Sequence, residues 1–470
     1  MKKGVRQGCV LSSLLFSLYT EGLAERIRES GLGVVIGGKV LGTLLYADDV
    51  ILVAEEEDVL QRMLDITYKF GKDFSLMFNT DQKKCGVLLV GNTVAQRQFK
   101  LGGEDICTIK KYNYLGVMFD KDGTDIAKDD RIFRANQWWG RLGAMAKFRA
   151  NKYEVIRGVW KSIAVPGLMY GMDVINWKSS EKREMEKTQN KIGRVALGCG
   201  KLVGNEAIRG DMGWSTFEER LMKAKLRYKV RIERMDENRW VKLISDVVGG
   251  KSKWKRECAN IARDCNLYKT WTMNQFREYE WNLKWSERGN TDYSEGEWKI
   301  FIKHKVEEYG LKKWKEGIEK HPTLFRYKEK KCPKMERFYD GSWCSSIYFK
   351  ARAGALELNT RTYRYNENRS KMCEWCGRMG RQVEESLEHV MVVCEGYDEL
   401  RGIAIERYKE ILGCDITRYW AERDDGGLQF LLGFEDAGWE VIEITKWFLG
   451  AIWNERELRK VANGVVEVEE

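Results

Sequence analysis

Two groups of residues in this chain have types and spacings suited to metal chemistry. Tyr46-Ala47-Asp48-Asp49 places adjacent carboxylates between the apolar residues Val40, Leu41, Leu44 and Leu45 and the run Val50, Ile51, Leu52 and Val53. Carboxylates are costly to desolvate, so this placement between two β-type stretches predicts a tight hairpin that presents acids to a divalent cation. An ordinary Asp-Asp turn has the same four letters, and the flanking sequence must decide between the two.

The second group is Cys373-Glu374-Trp375-Cys376, followed after twelve residues by His389 and after four more by Cys394. Three thiolates and one imidazole make the tetrahedral sulfur and nitrogen set that Zn2+ prefers, and four protein ligands leave no open position, so the site reads as structural. The chain has only three histidines, and one falls at ligand spacing. Spacing predicts a helix from Val383 to Val393, with Leu387 and Val390 facing a core while His389 points to the metal. Such a site stabilises a small domain with little core of its own.

The elements that must position the acids begin upstream. Gly4-Val5-Arg6-Gln7-Gly8-Cys9 reads as a polar turn entering an amphipathic helix through Leu14, Leu15, Phe16, Leu18, Leu23 and Ile27, with Ser12 or Ser13 as its cap. Gly8 allows the backbone to approach a flat ligand. With the hairpin downstream, these residues resemble the palm of a reverse transcriptase of the non-LTR, LINE-like retrotransposon type. The resemblance continues through Leu76-Met77-Phe78-Asn79, Lys84-Cys85 and Tyr114-Leu115-Gly116-Val117. The family has Ser-Pro where this chain has Ser12-Ser13.

What the resemblance implies is nucleotidyl transfer assisted by two Mg2+ or Mn2+ ions about 3.5–4 Å apart. Asp48 would be a direct ligand with Asp49 beside it, and Lys84 would neutralise or protonate the pyrophosphate. Arg6, Gln7 and Gly8 would floor the incoming deoxynucleoside triphosphate, Tyr46 would pack beside the primer end, and Tyr114, Leu115 and Gly116 would hold that end. The family carries a further metal-binding Asp on a strand that precedes the Arg-Gln-Gly segment. The expectation is therefore a partial palm, incomplete and inactive alone. The alternative is a non-catalytic nucleic-acid-binding protein that retains the helical region and the knuckle.

The knuckle also resembles the C-terminal Cys-Cys-His-Cys element of the same family, as do Arg352, Gly354, Leu356, Tyr397 and Arg401. There it is thought to help hold template RNA or target DNA.

The rest of the chain reads as helical. Phe133, Leu142, Met145, Ile156, Val159, Trp160 and Ile163 recur at helical spacing over 125–177, with a break or kink expected at Pro166-Gly167. In position this is the family's thumb. Further helices are expected over Glu181–Val195 and Thr216–Arg234, the latter carrying Lys223, Lys225, Arg227, Lys229, Arg231 and Arg234.

From about 235 to 350 tryptophans adjoin lysines and arginines, among them Trp254, Trp281, Trp285, Trp298 and Trp314. Stacking on unpaired bases is one reading. Interspersed acids such as Glu307, Glu308, Glu316 and Glu319 favour the other, a tryptophan core with a basic outer face. Lys253, Lys255, Arg256 and Lys315 are the candidate nucleic-acid contacts.

Composition agrees with both readings. The 81 Lys+Arg against 71 Asp+Glu give a net charge of +10, a mild surplus favouring phosphate contacts. No stretch spans a bilayer, no secretory signal pattern is visible, and no internal repeat or endonuclease is evident. Nuclear action is implied by the family, with a cytoplasmic location the alternative. Among the twelve cysteines, Cys9, Cys85, Cys107 and Cys199 sit in apolar surroundings and read as small buried hydrophobes.

The resulting expectation is an α+β chain: a partial palm over 1–122, a helical thumb over 123–235, a Trp/Lys-rich helical region over 236–350, the zinc knuckle over 351–400 and a helical end over 401–470. Its partners would be an RNA template, a DNA primer or target and deoxynucleoside triphosphates.

Overall fold

The computed structural model describes residues 9–91, 97–147, 151–267, 294–366, 368–414, 416 and 427–462. Arg6, Gln7, Gly8, Trp281 and Trp285 lie outside them. The architecture is α+β, with short strands confined to the first part and helices thereafter.

The first helix, α1 (Ser12–Glu29), buries Thr20, Leu23 and Ile27. Its N-cap is Leu11 rather than a serine, because the helix begins one residue before Ser13 and both hydroxyls already stand inside the first turn. Two strands, β1 (Val34–Ile36) and β2 (Lys39–Leu41), form a hairpin, and β3 (Thr43–Tyr46) pairs antiparallel with β4 (Asp49–Leu52). After α2 (Glu57–Asp73) come β5 (Val87–Leu88), β6 (Phe99–Leu101), β7 (Glu104–Ile106), β8 (Thr108–Ile109), β9 (Lys111–Tyr114) and β10 (Val117–Asp120). Among the described residues they make five two-stranded sheets, of which only β5–β8 is parallel.

Side chains alternate across a strand, so each hairpin has two faces. Val50 and Leu52 pack onto a small core of Leu23, Ile27, Leu32, Met63 and Phe70 between α1 and α2. Tyr46 and Asp49 are direct cross-strand partners on the opposite, open face.

The helical part begins with α3 (Asp125–Met145) and α4 (Lys152–Val159). A π-helical turn over Trp160–Ala164 carries α4 into α5 (Val165–Met169), with Pro166 in its first turn. The helix does not break at Pro166, and its irregularity is the π turn that precedes the proline. Proline is tolerated in a first turn, where its missing N–H is not needed, and the chain instead leaves the helix at Tyr170-Gly171, with Gly171 at φ +72°.

Next come α6 (Ser179–Leu197), α7 (Asn205–Met212) and α8 (Phe217–Glu233), the last capped by Thr216, whose hydroxyl accepts from the Glu219 amide at 3.1 Å. Then follow α9 (Trp240–Val248), α10 (Lys253–Asp264), α11 (Glu295–Glu319), α12 (Phe325–Lys330) and α13 (Trp343–Arg352). The series ends with α14 (Asn359–Tyr363), α15 (Glu374–Arg378), α16 (Asp398–Leu412), α17 (Leu428–Leu431) and α18 (Trp439–Ala462).

One apolar core runs through these helices from Ala127 to Ile452 and includes Cys373, Cys376 and Cys394. The knuckle thus rests on a core shared with α3, α6, α13, α16 and α18, while α10 and parts of α8 and α11 close around a second one that includes Leu226, Val230, Ile261, Ile302 and Val306. Two of the tryptophans between 235 and 350 are held by backbone carbonyls: Trp314 is buried with its indole N–H donating to the Glu206 carbonyl at 2.8 Å, and the half-buried Trp254 donates to the Asp173 carbonyl at 2.6 Å, whereas Trp343 is exposed. Lys225 is also internal, bonding the Ile175 carbonyl at 2.6 Å and Glu257 at 3.0 Å.

A charged centre joins the helices. Arg352 meets Asp211 through Nε at 3.1 Å and Glu336 through Nη2 at 3.2 Å, while the Tyr327 hydroxyl donates to Asp211 at 2.9 Å and that of Tyr339 donates to the same oxygen. Arg352 and Asp211 are both fully buried. Burial pushes the Asp211 carboxyl up, but Arg352 and Lys331 more than offset it and hold it below the usual carboxylate range.

Candidate active site and metal centre

The β3–β4 turn is made of Ala47 and Asp48, and Ala47 has φ +51°, a region an alanine rarely adopts. The turn raises Asp48 to the tip and leaves Tyr46, Asp48 and Asp49 exposed. The sequence prediction of a hairpin holds, with the acids at the surface.

Lys84 is placed by a compact loop. The Asn79 side chain accepts from the Asp81 amide at 2.8 Å, and the Asp81 carbonyl accepts from the amides of Lys84 at 2.7 Å and Cys85 at 2.8 Å. The Lys84 side chain is exposed.

The third piece is the β9–β10 hairpin, with Leu115 at φ +47° and Gly116 at φ +76°. Positive φ at both central residues is the requirement of a type I′ turn, which is why Gly stands here. The Tyr112 hydroxyl donates to the Lys84 carbonyl at 2.9 Å. Burial, and then the Asp49 charge, raise the Tyr112 hydroxyl above the ordinary tyrosine value, and the same two causes in the same order raise Tyr114. The Asp49 charge thus acts on both tyrosines of β9, and Tyr112 ties that strand to the Lys84 loop. Tyr112 escaped the sequence reading; its position two residues before Tyr114, on the same strand face, was the available signal.

Asp48 and Asp49 suit a hard divalent cation, which takes one or two carboxylates and fills its other positions with water or phosphate oxygens. Among the described residues no third acidic or imidazole group gathers with them to make a three-ligand set.

At the other end, Cys373, Cys376, His389 and Cys394 are all buried, and their donor atoms lie within 4.8 Å of one another. The Cys373–Cys394 sulfurs are 3.8 Å apart, Cys376–Cys394 4.0 Å, and Cys376 Sγ to His389 Nε2 3.4 Å. Tetrahedral zinc with ordinary bond lengths needs sulfur–sulfur edges of about 3.8 Å and sulfur–nitrogen edges of about 3.5 Å. The donor set fits zinc in chemistry and in spacing.

Without a cation three thiolates cannot all be charged together. The hydrogen bond from Cys394 lowers Cys373 to about 4, while Cys394, paired with that charge, is pushed up, and burial raises Cys376. Arg401 supports the last ligand by donating to the carbonyls of Cys394 at 2.6 Å and Met391 at 3.0 Å.

The predicted helix over Val383–Val393 is shorter than expected. Val383–Ser386 is extended, since the Cys373 amide bonds the Val383 carbonyl at 2.8 Å and Met372 bridges Glu384; helix begins at Leu387 and passes into a π turn over His389–Val393. Val390 does enter the core, with Leu387 packed beside it.

Two other expectations change. Cys9 and Cys107 are exposed, because Cys9 precedes the open face of α1 and Cys107 lies in a connection between strands, whereas Cys85 and Cys199 are half-buried. Of the candidate cations, Lys253, Arg256 and Lys315 are exposed, but Lys255 is half-buried and donates to the Ser245 carbonyl at 2.5 Å.

Comparison with known proteins agrees with the geometry. Residues 1–119 match the family described as "Reverse transcriptase (RNA-dependent DNA polymerase)". The chain is 31% identical over 135 residues to the Pol polyprotein of the type-2 retrotransposable element R2DM of Drosophila melanogaster, covering 26% of this chain and 12% of that protein. Residues 1–119 are a reverse transcriptase domain, and the curated relatives it resembles include proteins of non-LTR retrotransposons. It is also 27% identical over 245 residues to the "Probable RNA-directed DNA polymerase from transposon X-element" of Drosophila melanogaster, covering 49% of this chain and 26% of that one. With the RNA-directed DNA polymerase of mobile element jockey of Drosophila funebris it shares 28% over 189 residues, 37% of this chain and 19% of that protein. This reverse transcriptase relative thus spans between 12% and 26% of the length of these curated proteins. Among the described residues no helix is long and apolar enough to cross a membrane.

Proposed function

We propose that this chain contributes the acid-bearing and primer-holding part of an RNA-directed DNA polymerase that extends a DNA primer on an RNA template. The observation that carries the reading is the Tyr112–Lys84 hydrogen bond, which ties the strand leading into the Tyr114–Gly116 turn to the Lys84 loop, with the Asp49 charge acting on Tyr112 and Tyr114. Asp48 and Asp49 would hold Mg2+ or Mn2+. When bound, such ions activate the primer 3′ hydroxyl and neutralise charge on the leaving pyrophosphate.

The residues around them have separate tasks. Lys84, exposed on the loop that Tyr112 holds, would neutralise the pyrophosphate or return a proton to it. Tyr46, on the same open face as Asp49, would lie against the primer end, which Tyr114, Leu115 and Gly116 would hold. Arg6, Gln7 and Gly8 would contact the incoming deoxynucleotide. Cys373, Cys376, His389 and Cys394 would hold zinc and keep the C-terminal end ordered near template RNA or target DNA. A chromosomal target would place this work in the nucleus.

The test is template-dependent incorporation of deoxynucleotides with Mg2+, comparing this chain with a form extended upstream. Asp48→Asn should lower incorporation at least about a hundredfold while primer–template binding persists. The gathering of only two carboxylates among the described residues favours a second reading, a binding protein without catalysis. Tight primer–template binding with no incorporation would select it.

A further inference from the structure

Arg131, on α3, is 1% exposed and reaches away from its own helix. Its Nη2 donates to the carbonyl of Gly116 at 2.8 Å, in the β9–β10 turn, and to that of Tyr170 at 3.2 Å, where α5 ends. Its nearest acid, Asp130, stands 3.3 Å from Nη1 and also pairs with Arg134 at 2.9 Å. The Arg131 Nε is buried with no hydrogen-bond partner. A buried guanidinium with a shared counter-ion and an idle donor is costly, so its placement is dictated by the two carbonyls it serves.

A separate observation points to the same seat. Gly171 has φ +72°, and a Cβ there would stand 2.9 Å from the Val117 side chain; a Cβ on Gly116 would meet the Tyr170 ring at 3.4 Å. The Tyr170–Gly171 bend and the Leu115–Gly116 turn are therefore fitted closely, with Arg131 donating to both.

We propose that Arg131 is a positioning residue that fixes the Leu115–Gly116 turn, and with it the primer end, relative to α3. The inference rests on the reading of that turn as primer-holding. Arg131→Met keeps the length of the side chain but leaves both carbonyls unpartnered, whereas Arg131→Lys keeps one charged donor.

The experiment measures amide hydrogen exchange at 115–117 together with the preference for a duplex with a recessed 3′ end over a blunt one. Arg131→Met should speed exchange there about tenfold or more, with α18 unchanged, and reduce the end preference about tenfold. Arg131→Lys should retain part of both, and it decides the matter if the methionine variant does not fold. Unchanged exchange, or faster exchange with the end preference intact, overturns the proposal. An unaltered chain with no end preference removes the primer-holding reading itself, a failure visible before any variant is made.

Discussion

Tyr112 donates its hydroxyl proton to the backbone carbonyl of Lys84 across 2.9 Å, joining the strand that leads into the Leu115–Gly116 turn to the loop that carries the lysine. The bond does not depend on what the lysine side chain binds. Tyr112→Phe keeps the ring and removes only this tie, at about 1 kcal/mol. The expected result is faster amide exchange over 84–85 with a small drop in unfolding free energy. Unaltered exchange there would show that packing alone holds the loop.

Removal of the zinc proposed for the knuckle should unfold more than the knuckle. Its cysteines belong to the core that reaches α18, so chelation or Cys376→Ser should cost several kcal/mol and expose 366–386 to proteolysis. Ligation requires deprotonated thiols, so zinc should be released as pH falls. Zinc analysis of the purified chain, with and without acid treatment, checks this, and a chain containing no zinc would refute the assignment.

The Arg352–Asp211 pair predicts a non-additive mutant cycle. Arg352→Met leaves the buried Asp211 carboxylate with Lys331 as its remaining cation, Asp211→Leu leaves the Arg352 guanidinium with Glu336 alone, and a loss of about 3 kcal/mol is expected for each. The double variant should recover much of that loss. Denaturant unfolding of the set measures the coupling; additive single costs would show that the two side chains act independently.

The same centre makes the fold sensitive to alkali. Burial first, and the Asp211 charge second, raise Tyr327 and Tyr339 well above the ordinary tyrosine value of 10.0. Their folded-state values exceed the unfolded one, so their contribution is complete below that value and declines as pH rises above it. The denaturation midpoint should fall in that alkaline range. Replacing both tyrosines by Phe should flatten the decline even though it costs stability at neutral pH.

Charge reversal of Lys253, Arg256 and Lys315, all exposed, should reduce the salt dependence of RNA binding by up to about one phosphate contact each. Lys255→Glu should act chiefly on stability, since its ammonium already bonds the Ser245 carbonyl at 2.5 Å. An unchanged salt slope in the triple variant would exclude these three cations from nucleic-acid contact.

Local chemistry was written in the sequence. Tyr46-Ala47-Asp48-Asp49 between apolar runs fixed a hairpin because a β-strand alternates with period two, and the Cys-Cys-His-Cys spacing fixed a tetrahedral donor set because only a few backbone paths join such ligands. Helices over α6 and α8 followed from their periodicity. What tertiary structure alone decided is which of these pieces meet. Pro166 continues a helix because a π turn precedes it, Lys225 turns inward because Ile175 and Glu257 await it, and Arg131 spans 15 residues to Gly116 and 39 to Tyr170. Such contacts depend on the packing of segments distant along the chain, and the spacing of residues within one segment carries no record of them.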